Sequence, residues 1–587
     1  MPDLKLNELR DAHDPAARNG QSPALRRLPA GDAAVAAVRR VAAAAAPRAL
    51  WRYHRLFTIL VTISLVPRVL AALGFRPAML TSDSFLYMSE AAKGSLGQIR
   101  PSGYSWFLDI FRPLPHTLLA VTTAQHLMGI AIAAIVYGML RYRGLPAWGA
   151  CLAAAPTLFD PRQMALESYI LPDTLYTLLL VAATALLLTK RAPRLWQCLL
   201  AGLFVGYMSL VRGNGLPLAV IFAVFILIRR VGWRAFAAAT LAFVIPVLAY
   251  AIAFDATYGK LNLTSSDGIF LWSRTTSFAN CAIIKPPAQL RPLCPNLETP
   301  NVKNPAALKT KPPAWSIDAM LNAPTPANYL WAPDVWWRHS KYPGINKYNN
   351  KLGERFAIHA IEAQPLDYLR AVGRDVMLVF LSTDRPISQT NMSFTATAHI
   401  QSLPSYYASD EQQYAGTRSN TYLVKPFTYF VFLYEQPVYF PGIVFFLVVV
   451  AGLVGVIRRW RSWGRLAALP WALAAASIVL PAMLTQSLYR YTLVAVPLAC
   501  LAAGMAFLKP NPRLEFAADG ADPAGASPAP AAAATANGSP ATATADSAAD
   551  PASPAASTDP ADESAAPAPG DGDEAPEPDD PAPGSGT

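Results

Sequence analysis

Long apolar runs of up to about 25 residues, mostly closed by Arg or Lys, recur along this chain. They fall at roughly 56–74, 116–140, 145–159, 170–189, 195–211, 215–230, 234–254, 438–457, 467–485 and 489–508. A helix needs about 20 apolar residues to cross bilayer hydrocarbon, where every backbone polar group must be satisfied within the segment. The runs therefore predict a polytopic α-helical membrane protein with about ten transmembrane helices. Composition agrees, since 53% of the 587 residues are hydrophobic and only 15% are charged, unlike an ordinary soluble domain. The net charge of +11 is no nucleic-acid footprint. The basic residues gather in short clusters at the ends of the runs, where topology signals sit.

Those clusters orient the chain. RYR at 141–143, KRAPR at 190–194, RRVGWR at 229–234, RRWRSWGR at 458–465 and KPNPR at 509–513 all fall on one side, together with the Arg-containing segment before Trp51. The positive-inside rule makes that side the cytoplasm. Residues 1–55 then read as a disordered cytoplasmic leader with no cleavable signal, and the first span as an uncleaved anchor in the cytoplasmic membrane. Residues 56–255 carry seven helices and 438–510 carry three. Between them, 256–437 reads as a small extracytoplasmic domain, mixed α/β or irregular, too long and polar for a loop between packed helices. Within it, 354–381 reads as amphipathic helix broken near Pro365. No Lys or Arg follows Arg513, and 511–587 reads as a disordered, acidic, Pro/Ala-rich cytoplasmic tail. Of five cysteines, only Cys281 and Cys294 lie outside apolar runs, on the oxidising side, so a disulfide is expected.

The first outer loop, 75–115, contains TSDSFLYMSEAAKGSLGQIRPSGYSWFL, with helix character at 83–93 and again around 102–112. Its Asp83 stands among small hydroxyl residues and interfacial aromatics, just past the first span, whose outer half is interrupted at Pro67-Arg68. An acid so placed is either a helix N-cap or a carboxylate held for chemistry. Glu167 and Asp173 bracket the start of the fourth span and are candidates to orient an acceptor or a divalent cation, although no metal-site spacing is present. Asp173 also suits the first turn of that helix. Arg100, Arg162, Arg212 and Arg490 lie on the outer side, against the topology rule. Binding phosphate with forked, permanently charged donors is one reason, and snorkelling to headgroups is the plain alternative. Tyr104 and Tyr489 flank these positions as further candidates for substrate contact.

The lone acid in the first outer loop, the RPSGY turn at 100–104, LPDTLY at 171–176, the Arg212-Gly-Asn-Gly turn and the terminal YRY at 489–491 together resemble the GT-C glycosyltransferases. Within that group they are most similar to bacterial members related to protein O-mannosyltransferases and to the aminoarabinose transferase of lipid A. The resemblance spans about 55–510 and carries the catalytic role onto Asp83. It implies transfer of a sugar from a polyprenyl-phosphate donor to a cell-wall glycan, protein or lipid acceptor outside the membrane. The protein mannosyltransferases have an Asp-Glu pair at that point, whereas here Ser84 follows Asp83. The residues suit such chemistry without the analogy. The donor already has a stable leaving group, so the site needs a base for the acceptor hydroxyl and cations for the phosphate. The other readings are a lipid-linked sugar transporter or flippase, and a non-catalytic envelope-assembly protein. Transporters usually concentrate ionisable groups at mid-membrane, whereas here the charges gather at the outer face.

Overall fold

The computed structural model describes residues 47–295, 325–332, 334–381, 394, 409, 412–416, 421–486 and 489–508. All of them fall within one compact unit, Met1–Ala521. The leader before residue 47 and the tail beyond residue 508 lie outside the described residues.

The apolar runs are helices because they are rich in Leu, Ala and Val and satisfy their own backbone groups. In order come α1 (Pro47–Gly74), β1 (Phe75–Arg76), α2 (Ser82–Lys93), α3 (Gly103–Phe111), α4 (Thr117–Arg143), α5 (Ala147–Phe159), α6 (Pro161–Ser168) and α7 (Asp173–Leu187). Then follow α8 (Leu195–Val211), α9 (Gly215–Ile228), α10 (Trp233–Tyr258), α11 (Asp267–Thr275), α12 (Cys281–Ile284), α13 (Pro326–Leu330), α14 (Lys347–Ala363) and α15 (Pro365–Leu381). The chain closes with β2 (Tyr422–Leu423), α16 (Phe427–Glu435), α17 (Gly442–Arg458), α18 (Arg465–Leu484) and α19 (Tyr489–Ala506).

Every predicted span coincides with a helix. Four are long and apolar enough to cross a bilayer: Trp51–Gly74 within α1, then α4, α10 and α18. The other six (α5, α7, α8, α9, α17 and α19) are apolar but shorter. The chain is thus a helical membrane protein, with exposed Leu, Ile, Val and Phe along α1, α9, α10 and α17 where an aqueous surface would be polar. One sequence reading is corrected. The first helix runs through Pro67 and breaks its dihedrals at His54 instead, before the apolar run begins. The 256–437 segment is helical and irregular among its described residues. Its one strand, β2, pairs antiparallel with β1 of the first outer loop.

The last helix is central. α19 packs against α4, α5, α7, α17 and α18, and its residues from Leu493 to Leu501 are all buried. Small residues permit the close approaches, as where Gly202 of α8 lies on the Ala239 carbonyl of α10. In the loop after α1, Met79 exchanges backbone hydrogen bonds with Ser168 and Ile170 (3.0 and 3.1 Å). The Ser265 N–H donates to Gln98 O at 2.8 Å, and the Ala327 N–H donates to Gln486 Oε1 at 3.0 Å. These bonds pin the loop between α1 and α4, together with α13, near the N-terminal end of α19.

The domain core packs Ile269 and Trp272 of α11 against Phe356 and Ala360 of α14. α14 and α15 meet at Gln364-Pro365, the break that Pro365 dictates. Cys281 and Cys294 are joined by a disulfide with Cα atoms 6.2 Å apart. Replacing both by Ser should destabilise this domain by about 3 kcal/mol, the loop-closure value for so short a ring. The measurement is thermal unfolding by a tryptophan signal in the domain, and an unchanged transition would refute it.

Candidate active site

α2 begins at Ser82, one residue after Thr81, whose backbone N–H donates to Ser84 Oγ at 3.0 Å. Asp83 is therefore inside the first turn and is not the cap. A negative charge there is favoured by the helix dipole, but its carboxylate makes stronger contacts. Arg100 Nη2 lies 3.4 Å from Oδ1, and Arg490 Nη2 donates to Oδ2 at 2.9 Å. One guanidinium comes from the turn before α3 and the other from the first turn of α19. The Asp83 side chain keeps 18% of its exposure and that of Arg490 only 9%, so the acid is reachable while its partner is nearly sealed. Burial alone would raise the Asp83 pKa. The Arg100 and Arg490 charges overcome it and hold the carboxyl well below its usual range.

Arg490 continues the cluster inward. Its Nη2 lies 3.3 Å from the Tyr491 hydroxyl, and its buried Nε has no hydrogen-bond partner. Arg212, just past the end of α8, stacks its guanidinium over the Tyr491 ring at 4.3 Å and forms an ion pair with Asp173 at the start of α7. Asp173 is fully buried, and its Oδ2 is without a partner. Arg212, Tyr176, Asn214 and Tyr491 line an open pocket together with the apolar Leu218, Leu480 and Val494. Asp83 does not line that pocket; it connects to Tyr491, which does, through Arg490. A charged head with an apolar wall suits an anionic group on a hydrocarbon tail.

The structure therefore brings Asp83, Arg100 and Arg490 together, with Arg212 and Asp173 joined through Tyr491. Other sequence candidates sit elsewhere. Glu167 is wholly buried: Arg68 Nε donates to it at 2.9 Å, His126 Nδ1 lies 2.9 Å away and Gln163 donates at 3.2 Å. It neutralises an arginine inside the first span and has no free face for an acceptor or a cation. Tyr104 is also fully buried, donating to Gln125 Oε1 at 2.7 Å and packing edge-on against Tyr87. Arg162 binds Asp160 and donates to the Phe440 carbonyl at 2.8 Å, which staples α6 to the segment before α17. The Tyr489 side chain lies outside the described residues. Among the described residues no group of three or more His, Cys, Asp or Glu converges to hold a metal ion.

Sequence reasoning passed over Tyr491, Tyr176 and Arg68. The last had a signal, since an Arg within an apolar run requires a buried partner. Sequence also undervalued Glu90. Asp83, Tyr87 and Glu90 follow i, i+4, i+7 spacing and share one face of α2. Glu90 is half-buried and accepts from Ser105 Oγ at 2.7 Å. Burial pushes its pKa up to about 7, against the pull of the Ser105 bond and the Arg100 charge.

No family model matches the chain, and no curated protein matches it. Two solved structures are similar to it, both crystal structures of ArnT from Cupriavidus metallidurans. The one bound to undecaprenyl phosphate is 12% identical, with 77% of each chain covered and a TM-score of 0.29. The apo one is 12% identical, with 76% of each chain covered and a TM-score of 0.29.

The Glu90 environment has a pH consequence. Its folded pKa of about 7 lies above the ordinary 4.5, so the folded state favours the neutral acid. That preference is fully present below about pH 4.5 and is lost as the pH rises through 7. The melting temperature of wild type should therefore fall relative to Glu90→Gln between pH 4.5 and 7 and run parallel above pH 8. Parallel curves throughout would show that Glu90 is not held as a buried acid.

Proposed function

We propose that this chain is an inverting GT-C-type glycosyltransferase of the cytoplasmic membrane. In this reading it moves a sugar from a polyprenyl-phosphate donor to a hydroxyl on an envelope acceptor outside the cell, be it glycan, protein or lipid. The observation that carries the reading is the Asp83 carboxylate held between Arg100 and Arg490. Through Arg490 it connects to a pocket lined by Arg212, Tyr491 and apolar residues. That is one potential base and one potential phosphate cradle, contributed by opposite ends of the chain.

All ten apolar helices cross the bilayer in this reading, with the termini inside and 256–437 outside. The prenyl tail lies along Leu218, Leu480 and Val494, and the phosphate meets Arg212 and Arg490. The acceptor hydroxyl attacks C1 of the sugar from the face opposite the phosphate, so the anomeric centre inverts. Its proton passes to Asp83, while the bond from C1 to the phosphate oxygen breaks and leaves its electron pair on the phosphate. The leaving group is stable and needs no strong acid. The guanidinium groups supply what remains, stabilising charge that grows on the phosphate during bond breaking.

Asp83→Asn keeps the shape and removes the base. In vesicles supplied with a polyprenyl-phosphate sugar and envelope acceptor, kcat should fall roughly 10²–10⁴-fold while the donor KM moves by only a few fold. An Asp83→Asn protein that inserts, folds and turns over normally removes the assignment.

A further inference from the structure

Five ionised side chains stand together at the outer end of α19. Arg100, Arg212 and Arg490 face Asp83 and Asp173, which leaves one positive charge unbalanced among the described residues. The tyrosines beside them, Tyr87, Tyr176 and Tyr491, are neutral phenols in this count. Glu90 belongs to Ser105 and forms no ion pair with any of the three arginines. Asp173 is the unexpected member. It is fully buried, one of its oxygens serves Arg212, and the other is buried with no hydrogen-bond partner. A helix N-terminus alone is a weak reason to bury a carboxylate completely. Nor does Arg212 need Asp173 for its orientation alone, because the Tyr491 ring already supports it. What Asp173 supplies that Asn would not is a unit of negative charge.

Resting on the functional reading above, we infer that Asp173 sets the charge of the ligand the pocket accepts. It cancels one of three guanidinium charges, so that a lipid phosphodiester with a single negative charge neutralises the site and a lipid diphosphate overfills it. The balance survives the reaction. When the bond from C1 to the phosphate oxygen breaks, the phosphate becomes a monoester with a second negative charge. When the bond from the acceptor oxygen to C1 forms, the released proton neutralises Asp83. One negative charge appears as another disappears, and the loaded site stays neutral from donor to product. Once Asp83 passes its proton to water, the dianionic product faces a surplus of only one positive charge, which favours its release.

At pH 5, below the second ionisation of a phosphate monoester at about 6, farnesyl phosphate carries the single negative charge of the donor's phosphodiester, farnesyl diphosphate carries about two on the same tail, and Glu90 is neutral. Each is titrated into the full-length, detergent-solubilised protein as wild type, Asp173→Asn and Asp173→Glu. Wild type should bind the monophosphate more tightly than the diphosphate. Asp173→Asn should tighten binding of the monophosphate by roughly tenfold and of the diphosphate by more, since the released guanidinium charge acts on each ligand charge at close range. The preference then shrinks or inverts, and Asp173→Glu restores the wild-type order. A wild type that binds both but favours the diphosphate overturns the inference and leaves the glycosyltransferase reading standing. So does an Asp173→Asn protein with wild-type melting behaviour and an unchanged preference. The wild-type comparison decides the matter even where the variant does not fold. Binding of neither ligand by wild type overturns the functional reading, and this inference with it.

Discussion

A carboxylate shared between two arginines from distant parts of the chain is the constraint around which α2, the turn before α3 and the start of α19 are arranged. Asp83 and Arg490 are 407 residues apart in sequence, so the contact exists only if the last helix returns to the first outer loop. The burial of α19 achieves that. Packed against five other helices, α19 has little freedom to slide or rotate, and the guanidinium on its first turn inherits that rigidity. An isolated exposed pair of this kind would contribute little. Here the fold holds both partners in place, so the entropy of holding two long side chains in one geometry falls on the bundle rather than on the pair.

The surrounding loops serve the same end by different means. The first outer loop is bonded to 168–170 on one side and, through Gln98 and Ser265, to the beginning of the outer domain on the other. Arg100 sits on the Phe270 ring at 4.8 Å, which couples the turn bearing it to α11 of that domain. A loop pinned at both ends presents its carboxylate without relying on substrate to order it. That is the condition under which electrostatic stabilisation is effective at the moment of reaction.

Much of this was legible from the residues alone. Apolar length and charge at the run ends located the helices, because a bilayer admits few other solutions. The helix character read at 83–93 and around 102–112 is met by α2 and α3. Proline correctly marked the α14–α15 break, yet Pro67 did not interrupt α1. A proline in a membrane helix is accommodated when its neighbours satisfy the freed carbonyl. The site was half legible. Asp83, Arg212 and Arg490 could be named from their place at the outer face, but their distances from one another could not. Glu167 looked equivalent to Asp83, since both are acids at the outer membrane edge. The difference is the Arg68 side chain one helix away, and no local pattern reports which acid meets which base across a bundle. Tyr104 shows a similar limit: an aromatic in a turn motif reads the same whether it faces a substrate or, as here, Gln125.

The contrast between the two acids bears on mechanism. Glu167 is surrounded by three donors and has no exposed surface, so it fixes structure and gives nothing to a ligand. Asp83 has two partners and retains part of its surface, so one of its oxygens can change partners. In the resting protein its arginines make it a weak base, which opposes taking a proton from a hydroxyl. In the proposed transferase reading, phosphate resolves the difficulty. Were Arg490 to turn toward an anion beside Tyr491, the Asp83 carboxylate would lose a stabilising partner and its proton affinity would rise. The groups proposed to cradle the leaving phosphate would then be the groups that restrain the proposed base. Under that proposal proton transfer would become favourable only with the donor in place, and an acceptor arriving alone would meet a carboxylate too well stabilised to act.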